Sequence, residues 1–189
     1  TGPGLLTYGC LVRAGGSQVF SGWRQLAFDG QIAPGPIPVI FNGDTNKKLD
    51  FVFIPDKDSY SGPEDTQFQS DVLSVIRDGY YNFPLFLAYQ DKLNFWIASS
   101  TGDAERLSFP DTCVVRVPDN WVTYYSFTDA GVALHTDEFR DCAPGNRFST
   151  EPFNLATVLH ETGHTPFGLA DEYCFQQFAD GSSVPCDGG

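Results

Sequence analysis

The pentapeptide His160-Glu161-Thr162-Gly163-His164 combines residue types that can do chemistry with a spacing that brings them together. On an α-helix, residues four apart lie on the same face, so the imidazoles of His160 and His164 can both reach one Zn²⁺ ion. Glu161 then lies beside the open coordination position, where it can take a proton from water and pass it to a leaving amine. The motif therefore predicts a zinc hydrolase of the peptidase type, with Glu161 as general base.

Zinc in a hydrolase usually takes three protein ligands and keeps a fourth position open. Gly168 is suited to turning the chain back after the helix, because glycine takes the left-handed conformation that closes a helix C-terminus. Asp171 is the nearest acceptor beyond it and is our choice of third ligand, with Glu172 as the alternative. His135 can serve only if an upstream loop folds over the site. The alternative is that Asp171 and Glu172 bind no metal and only cap and solvate a turn.

Two more residues could assist the chemistry. The Tyr173 hydroxyl could donate a hydrogen bond to the tetrahedral intermediate or to a ligand carboxylate, and simple packing of its ring is an equal alternative. His135 is expected to be structural or to line the cleft, with help to an oxyanion as its other role. The sequence argues against a serine hydrolase, because it has no Gly-x-Ser-x-Gly and only His135 lies outside the zinc motif to serve as base.

The run from His160 to Tyr173, HETGHTPFGLADEY, resembles the zinc signature of the IgA-specific metallo-endopeptidase family, in which an HExGH motif ends in Gly-Leu-x-Asp-Glu-Tyr. It is similar more loosely to the metzincins. Gly168 and Asp171 each lie one residue further from His164 than in the metzincin pattern, and the chain has no methionine for a metzincin methionine turn. The first family is therefore the better match. The resemblance implies a zincin-like endopeptidase and carries nothing about substrate identity.

The resemblance extends upstream and covers roughly residues 47 to 175, although only the zinc segment is specific. The order of elements matches the family: a strand at 48–56, an amphipathic helix at 63–78, a Phe-Pro-Leu-Phe segment at 83–86 and a strand at 92–96. We therefore expect an α/β (α+β) fold of zincin type. A mixed twisted sheet would be backed by a helix and joined to the active-site helix.

The chain is expected to have two parts. Residues 1–45 are rich in Gly and Pro and contain short β-like runs at 8–12 and 23–28, which indicates a small β-rich N-terminal module. Residues 31–38 contain three prolines in five positions and are expected to form an extended linker. The catalytic domain would then cover 46–189, either as a minimal form or as one shortened at its C-terminus.

Within the catalytic domain, the apolar run at 51–53, and Val114 and Val115 with Val117 nearby, predict central strands covered on both faces. A helix that leads into His160 is expected to carry Pro152 in its first turn. Residues 131–136 would form the last strand before that helix. In zincins this strand lies at the sheet edge and lines the substrate cleft, so its backbone is a candidate for pairing with an extended peptide.

Composition restricts the partners. The net charge of −13 argues against nucleic acid and anionic membranes, both of which require clustered Lys and Arg. No apolar run approaches the length that spans a bilayer. The expected partner is a protein or peptide substrate, glycoproteins included, and we expect a monomer. A competing function is a secreted module that binds protein or glycan and keeps a structural or vestigial zinc site.

The five cysteines are spaced too irregularly for a thiolate zinc cluster and favour disulfides, which implies secretion into an oxidising compartment. We expect bridges from Cys113 to Cys142 and from Cys174 to Cys186, with Cys10 left over. Finally, the segment from Asp56 to Gly62 has oxygen ligands at alternate positions and faintly resembles a Ca²⁺ loop. It lacks the terminal bidentate Glu, so an Asx-type turn is the better interpretation.

Overall fold

The apolar run at 51–54 forms the centre of the structure. A computed structural model describes residues 4–14, 17–28, 35–108, 111–171, 175–177 and 183–185, and it shows a mixed α+β fold. Phe51 to Ile54 are fully buried in strand β4 (Leu49–Pro55). β4 pairs in parallel with β5 (Leu93–Ile97) on one side and with β8 (Ala130–Leu134) on the other. The prediction of a central strand at 51–53 is therefore confirmed.

Two further strands complete a five-stranded mixed sheet with the order β3-β5-β4-β8-β9. β9 (Arg147–Thr150) lies parallel to β8 at one edge, and β3 (Ile37–Ile40) lies antiparallel to β5 at the other. The prediction that 131–136 is the edge strand is wrong, because β9 covers it. Three of the four residues in β9, Arg147, Ser149 and Thr150, are polar, so the sequence offers no apolar run from which to predict a strand there.

The edge strand β3 also corrects the expected linker. Ile37 and Pro38 pair with Ile97 and Trp96 instead of bridging two parts of the chain. Proline is tolerated here because β3 has a neighbour on one side only, so a missing N–H can face away from the ladder. Residues 31–34 of the expected linker lie outside the described part of the chain.

Helices cover one face of the sheet. They are α1 (Thr66–Ser74), a π-helical continuation (Val75–Gly79), α2 (Pro84–Ala88) and α4 (Leu155–His164), with 3₁₀ turns at Tyr80–Asn82 and Gln90–Lys92. Phe68 of α1 and Val158 of α4 pack with the sheet residues Phe51, Phe53 and Phe95 in one buried cluster. This layer fixes the position of α4, which carries the zinc motif.

The opposite face carries a hairpin and a short helix. β6 (Asp103–Ser108) and β7 (Asp111–Arg116) pair antiparallel as a separate two-stranded sheet, and α3 (Trp121–Tyr124) packs beside them. The prediction of a central strand at 114–117 is therefore wrong. In β7, Val115 is buried, whereas Val114 is only half-buried. The apolar residues there cover one face of the hairpin, and they pair with β6 in place of the central sheet.

The remaining elements lie near the chain ends. β1 (Gly4–Ala14) and β2 (Ser17–Phe28) form an antiparallel hairpin that contains the β-like runs expected at 8–12 and 23–28. β10 (Phe175–Gln177) and β11 (Ser183–Pro185) form a second hairpin, and a 3₁₀ turn at Thr45–Lys47 precedes β4. No helix in the described part of the chain is long and apolar enough to cross a bilayer.

A disulfide joins Cys113 of β7 to Cys142 in the loop before β9, with the two Cα atoms 6.1 Å apart. This confirms the first expected bridge. It also ties the hairpin layer to the loop that forms one wall of the cleft described below. The expected Cys174–Cys186 bridge and the side chain of Cys10 lie outside the described residues.

Candidate active site and metal centre

Helix α4 is oriented by two of its own residues. Val158 and Thr162, four apart, face the sheet, and the Thr162 hydroxyl lies 2.8 Å from the Tyr80 hydroxyl. The helix begins after Asn154, whose side chain accepts a hydrogen bond from the N–H of Thr157. Pro152 therefore precedes the helix and does not lie in its first turn, as the sequence had suggested. With residues 158 and 162 fixed against the core, positions 160 and 164 project into a cleft.

The chain turns back after His164 as predicted. Gly168 has φ = 66°, and its N–H donates to the carbonyl of His164 at 2.9 Å. The N–H of Leu169 donates to the carbonyl of Gly163, also at 2.9 Å. These nested hydrogen bonds close the helix and lead the chain to Asp171.

The structure brings the three candidate ligands His160, His164 and Asp171 together, and we call them the histidine cluster. The two Nε2 atoms lie 3.2 Å apart, and Asp171 Oδ1 lies 3.2 Å from His160 Nε2 and 3.1 Å from His164 Nε2. A tetrahedral Zn²⁺ with bonds of about 2.0 Å places its ligand atoms about 3.3 Å apart. The triangle therefore has the size that a zinc ion requires.

The hydrogen bonding of His164 orients its metal-binding nitrogen. Its Nδ1 lies 2.7 Å from the carbonyl of Leu169, so Nδ1 carries the proton and donates it. Nε2 is then left with a lone pair directed at the cluster, and many metal-binding histidines are oriented by such a hydrogen bond at the other ring nitrogen. That hydrogen bond, together with the charges of Asp171 and Glu161, raises the pKa of His164. A proton therefore competes with a metal ion for Nε2 at a higher pH than it would at an ordinary histidine.

Glu161 lies beside the histidine cluster and is only 6% exposed. Its Oε1 is 3.9 Å from His160 Nε2. Burial raises the pKa of Glu161 to about 7, and the carboxylates of Asp141 and Asp171 add to the rise. The charges of His164 and Arg140 oppose it. A carboxyl group with a pKa near neutrality can both accept and release a proton at physiological pH.

These residues line an open cleft of about 690 Å³. One wall is the segment from Phe139 to Ala143, which the disulfide anchors, and the other side includes Asn154 and Thr157 of the α4 region. Arg106 and Arg140 also line it. The cleft is large enough to take several residues of a peptide around the histidine cluster.

His135 is neither a metal ligand nor an oxyanion donor, which corrects the two further roles considered for it. It is fully buried, and its ring stacks on Phe139 with centroids 4.0 Å apart. Its Nδ1 lies 2.9 Å from the carbonyl of Asp137, and its Nε2 lies 2.8 Å from Asp141 Oδ1. Both nitrogens are therefore engaged, and His135 holds the cleft wall in place.

The sequence analysis missed two acidic residues in the cleft. Asp141 accepts a hydrogen bond from Ser149 as well as bonding His135, and Glu151 follows directly after β9. Burial raises the pKa of Glu151, and the neighbouring Asp141 raises it further. The chain positions of Glu151 and His135 could have indicated this region. Both residues directly follow parallel strands, and the carboxyl ends of such strands line ligand-binding crevices.

The segment from Asp56 to Gly62 forms the Asx-type turn that the sequence favoured. Asp56 Oδ2 accepts from the N–H groups of Asp58 and Ser59 at 3.2 and 3.1 Å. Glu172 and Tyr173, the alternative ligand and the second catalytic candidate, lie outside the described residues. A scan against protein-family models and a search of curated proteins find no match to this chain.

Proposed function

We propose that this chain is a zinc-dependent endopeptidase with a zincin-like catalytic fold. His160, His164 and Asp171 would hold one Zn²⁺, and Glu161 would act as the general base. The observation that carries the proposal is the convergence of three ligand atoms, 3.1 to 3.2 Å apart, beside a buried carboxyl group in an open cleft. Two imidazole lone pairs and a carboxylate at this distance repel one another unless a cation or a proton lies between them.

The chain's own groups have separate tasks in this mechanism. Zinc, when bound, supplies a Lewis acid that polarises the peptide carbonyl and makes water more acidic. Glu161 takes the proton of the attacking water and delivers it to the leaving amine, as its pKa of about 7 favours. Leu169 and the turn at Gly168 hold His164 and Asp171 in position. Tyr173 remains our second catalytic candidate, as a hydrogen-bond donor to the intermediate.

The expected substrate is a peptide segment of a protein or glycoprotein. The cleft is open and has a volume of about 690 Å³, so it can take an extended peptide segment, and we expect cleavage within a chain. The disulfide is compatible with an oxidising compartment and supports secretion. A strongly negative chain is also expected to avoid nucleic acid and anionic membranes.

Metal content and cleavage, measured together, test the proposal. We expect one zinc per chain by mass spectrometry and cleavage of a mixed proteome digest by the wild type. Glu161→Gln should keep zinc but lose activity by about 100-fold or more, because it removes the general base. Glu138→Gln is the matched control, since Glu138 is exposed and does not line the cleft. It should cleave like the wild type.

The other outcomes separate the alternatives. A wild type that binds zinc and cuts nothing overturns the peptidase proposal and favours the binding module. A chain that binds no zinc overturns the metal centre itself. Full activity in Glu161→Gln would remove Glu161 from the mechanism.

A further inference from the structure

A second group of possible metal ligands lies away from the cleft residues described above. Asp56, Asp58 and Asp103 each offer a carboxylate oxygen, and these oxygens lie within 4.8 Å of one another. Asp56 follows β4 and Asp103 opens β6, and the β-bridge between Asp56 and Gly102 brings the two segments together. We call these three residues the acidic cluster. It shares no residue with the histidine cluster.

One oxygen of the acidic cluster is buried without a partner. Asp103 Oδ2 accepts from Lys57 Nζ at 2.8 Å and from Arg116 Nη1 at 2.6 Å. Asp103 Oδ1 is inaccessible to solvent and has no hydrogen-bond partner in the described part of the chain. Asp103 is 7% exposed. A buried carboxylate oxygen in this state lacks the hydrogen bond or cation that normally offsets its lost hydration.

The charges around the cluster do not balance. Arg116 also contacts Glu105, so four carboxylates meet two cationic side chains, Lys57 and Arg116. The formal charge of this group is −2, which one divalent cation neutralises. Burial alone would raise the pKa of Asp103, but the hydrogen bonds from Lys57 and Arg116 outweigh it and lower that pKa.

We propose that Asp56, Asp58 and Asp103 form a binding site for a hard divalent cation, with Ca²⁺ preferred over Mg²⁺. Its ligands are oxygens only, which both ions favour and zinc does not require. Three carboxylate oxygens within 4.8 Å of one another are close enough to share one cation. Ca²⁺ accepts an irregular set of oxygen ligands, whereas Mg²⁺ demands a near-octahedral arrangement. Lys57 is half exposed, so its ammonium can move into solvent as the cation binds.

The site would stabilise the wall of the candidate active cleft. Asp56 Oδ2 accepts from the Ser59 hydroxyl at 2.9 Å, and Ser59 Oγ accepts from the N–H of Thr136, also at 2.9 Å. Thr136 adjoins His135, which bonds Asp141 in the cleft wall. A cation on Asp56 therefore fixes a chain of contacts that ends beside the histidine cluster. Its role is structural, and it does not depend on the proposed zinc chemistry.

Calorimetric titration of the metal-stripped chain with CaCl₂ and with MgCl₂ tests this site. We expect one Ca²⁺ per chain, weaker Mg²⁺ binding, and a rise in Tm of about 5 °C or more when Ca²⁺ is present at 100 times its Kd. Asp58→Asn should weaken Ca²⁺ binding at least tenfold. It should still fold, because Asp58 is exposed. Asp119→Asn, another exposed acid outside the cluster, is the matched control and should bind Ca²⁺ like the wild type.

His164→Ala separates this site from the zinc proposal. Ca²⁺ binding that persists in His164→Ala and falls in Asp58→Asn supports the acidic cluster, whether or not the chain proves to be a peptidase. No Ca²⁺ binding to the wild type, or equal binding by wild type and Asp58→Asn, overturns the inference. Loss of Ca²⁺ binding in His164→Ala with retention in Asp58→Asn would place the ion at the histidine cluster and overturn it as well.

Discussion

The histidine cluster and the acidic cluster differ in how each is exposed and compensated. Side chains of the histidine cluster are 22% to 44% exposed and face an open cleft. Asp56 and Asp103 of the acidic cluster are buried, and Lys57 and Arg116 already neutralise part of their charge. Catalytic metal sites keep one coordination position accessible, whereas structural sites are closed by protein. This difference in accessibility is the reason we propose catalysis for the first cluster and stabilisation for the second.

Ligand type separates the two clusters in the same way. Imidazole nitrogens with one carboxylate suit zinc, whereas carboxylates alone suit calcium or magnesium. The hydrogen bonds that hold the candidate ligands differ as well. His164 is oriented by one backbone carbonyl, whereas Asp56 accepts four hydrogen bonds, from the N–H groups of Asp58, Ser59 and Ala104 and from the Ser59 hydroxyl.

Substitution of a single candidate ligand should give the largest difference between the two clusters. We expect His164→Ala to weaken zinc binding by about 100-fold or more, because it removes one of only three protein ligands. Asp58→Asn should leave zinc affinity unchanged. Competition with a zinc-sensitive dye measures both variants. Equal loss of zinc in the two variants would show that the clusters act as one unit.

The second largest difference between the clusters should be the pH dependence of metal binding. The pKa of His164 is raised, so zinc must displace a proton there, and affinity should fall about tenfold per pH unit below that pKa. The pKa of Asp103 is lowered, so calcium binding should persist to more acidic pH. Titrations between pH 8 and pH 5 measure both affinities. Parallel decline of zinc and calcium affinity would contradict the distinction.

The parts of the site that the sequence predicted are local in the chain. Residues 160 to 171 contain the helix, the turn at Gly168 and the third ligand, so helical spacing and the conformational freedom of glycine are enough to bring the ligands together. The Cys113–Cys142 bridge was predicted from spacing and the lack of a thiolate zinc pattern, which was a weaker basis. Its confirmation shows only that the two segments meet.

The parts that could not be predicted depend on contacts between residues that are far apart in the sequence. Asp103 reaches Asp56 through the bridge between Asp56 and Gly102, residues 46 positions apart, and nothing near Asp103 in sequence indicates it. The edge strand β9 is short and largely polar, so periodicity gave no signal for it. For His135 the sequence leaves a structural and a cleft-lining role open, because its burial depends on the wall formed by Phe139 and Asp141, which only the folded chain assembles.

Two buried carboxyl groups with opposite pKa shifts should affect stability with opposite sign. The raised pKa of Glu161, about 7 in the fold, means that the folded chain loses stability as pH rises from about 4.5 to 7. The lowered pKa of Asp103 gives stability that is present at neutral pH and lost as pH falls through that pKa. In metal-stripped protein at pH 8, Glu161→Gln should therefore raise the free energy of unfolding by about 1 to 3 kcal/mol.

Urea denaturation of the metal-stripped variants measures this difference. At pH 8, Asp103→Asn should lower the free energy of unfolding, because Lys57 and Arg116 lose their charged partner. Destabilisation by Glu161→Gln at pH 8 would show that burial does not penalise the Glu161 charge. Near pH 4.5 the stabilising effect of Glu161→Gln should disappear, because Glu161 is then neutral in the folded chain.

The smallest expected effect concerns the turn that positions Asp171. Gly168 has φ = 66°, and no atom of the described residues lies within 4 Å of the place a Cβ would occupy, so Gly168→Ala meets backbone strain and no clash with them. We expect a loss of about 1 kcal/mol in stability. If the chain relieves the strain by shifting Asp171, zinc affinity should fall by up to about fivefold while calcium affinity stays constant.

Gly35→Ala is the control, since Gly35 is equally open and its φ is not positive. Thermal unfolding and zinc competition on both variants would show whether the left-handed turn holds the third ligand, and equal behaviour of the two variants would show that it does not.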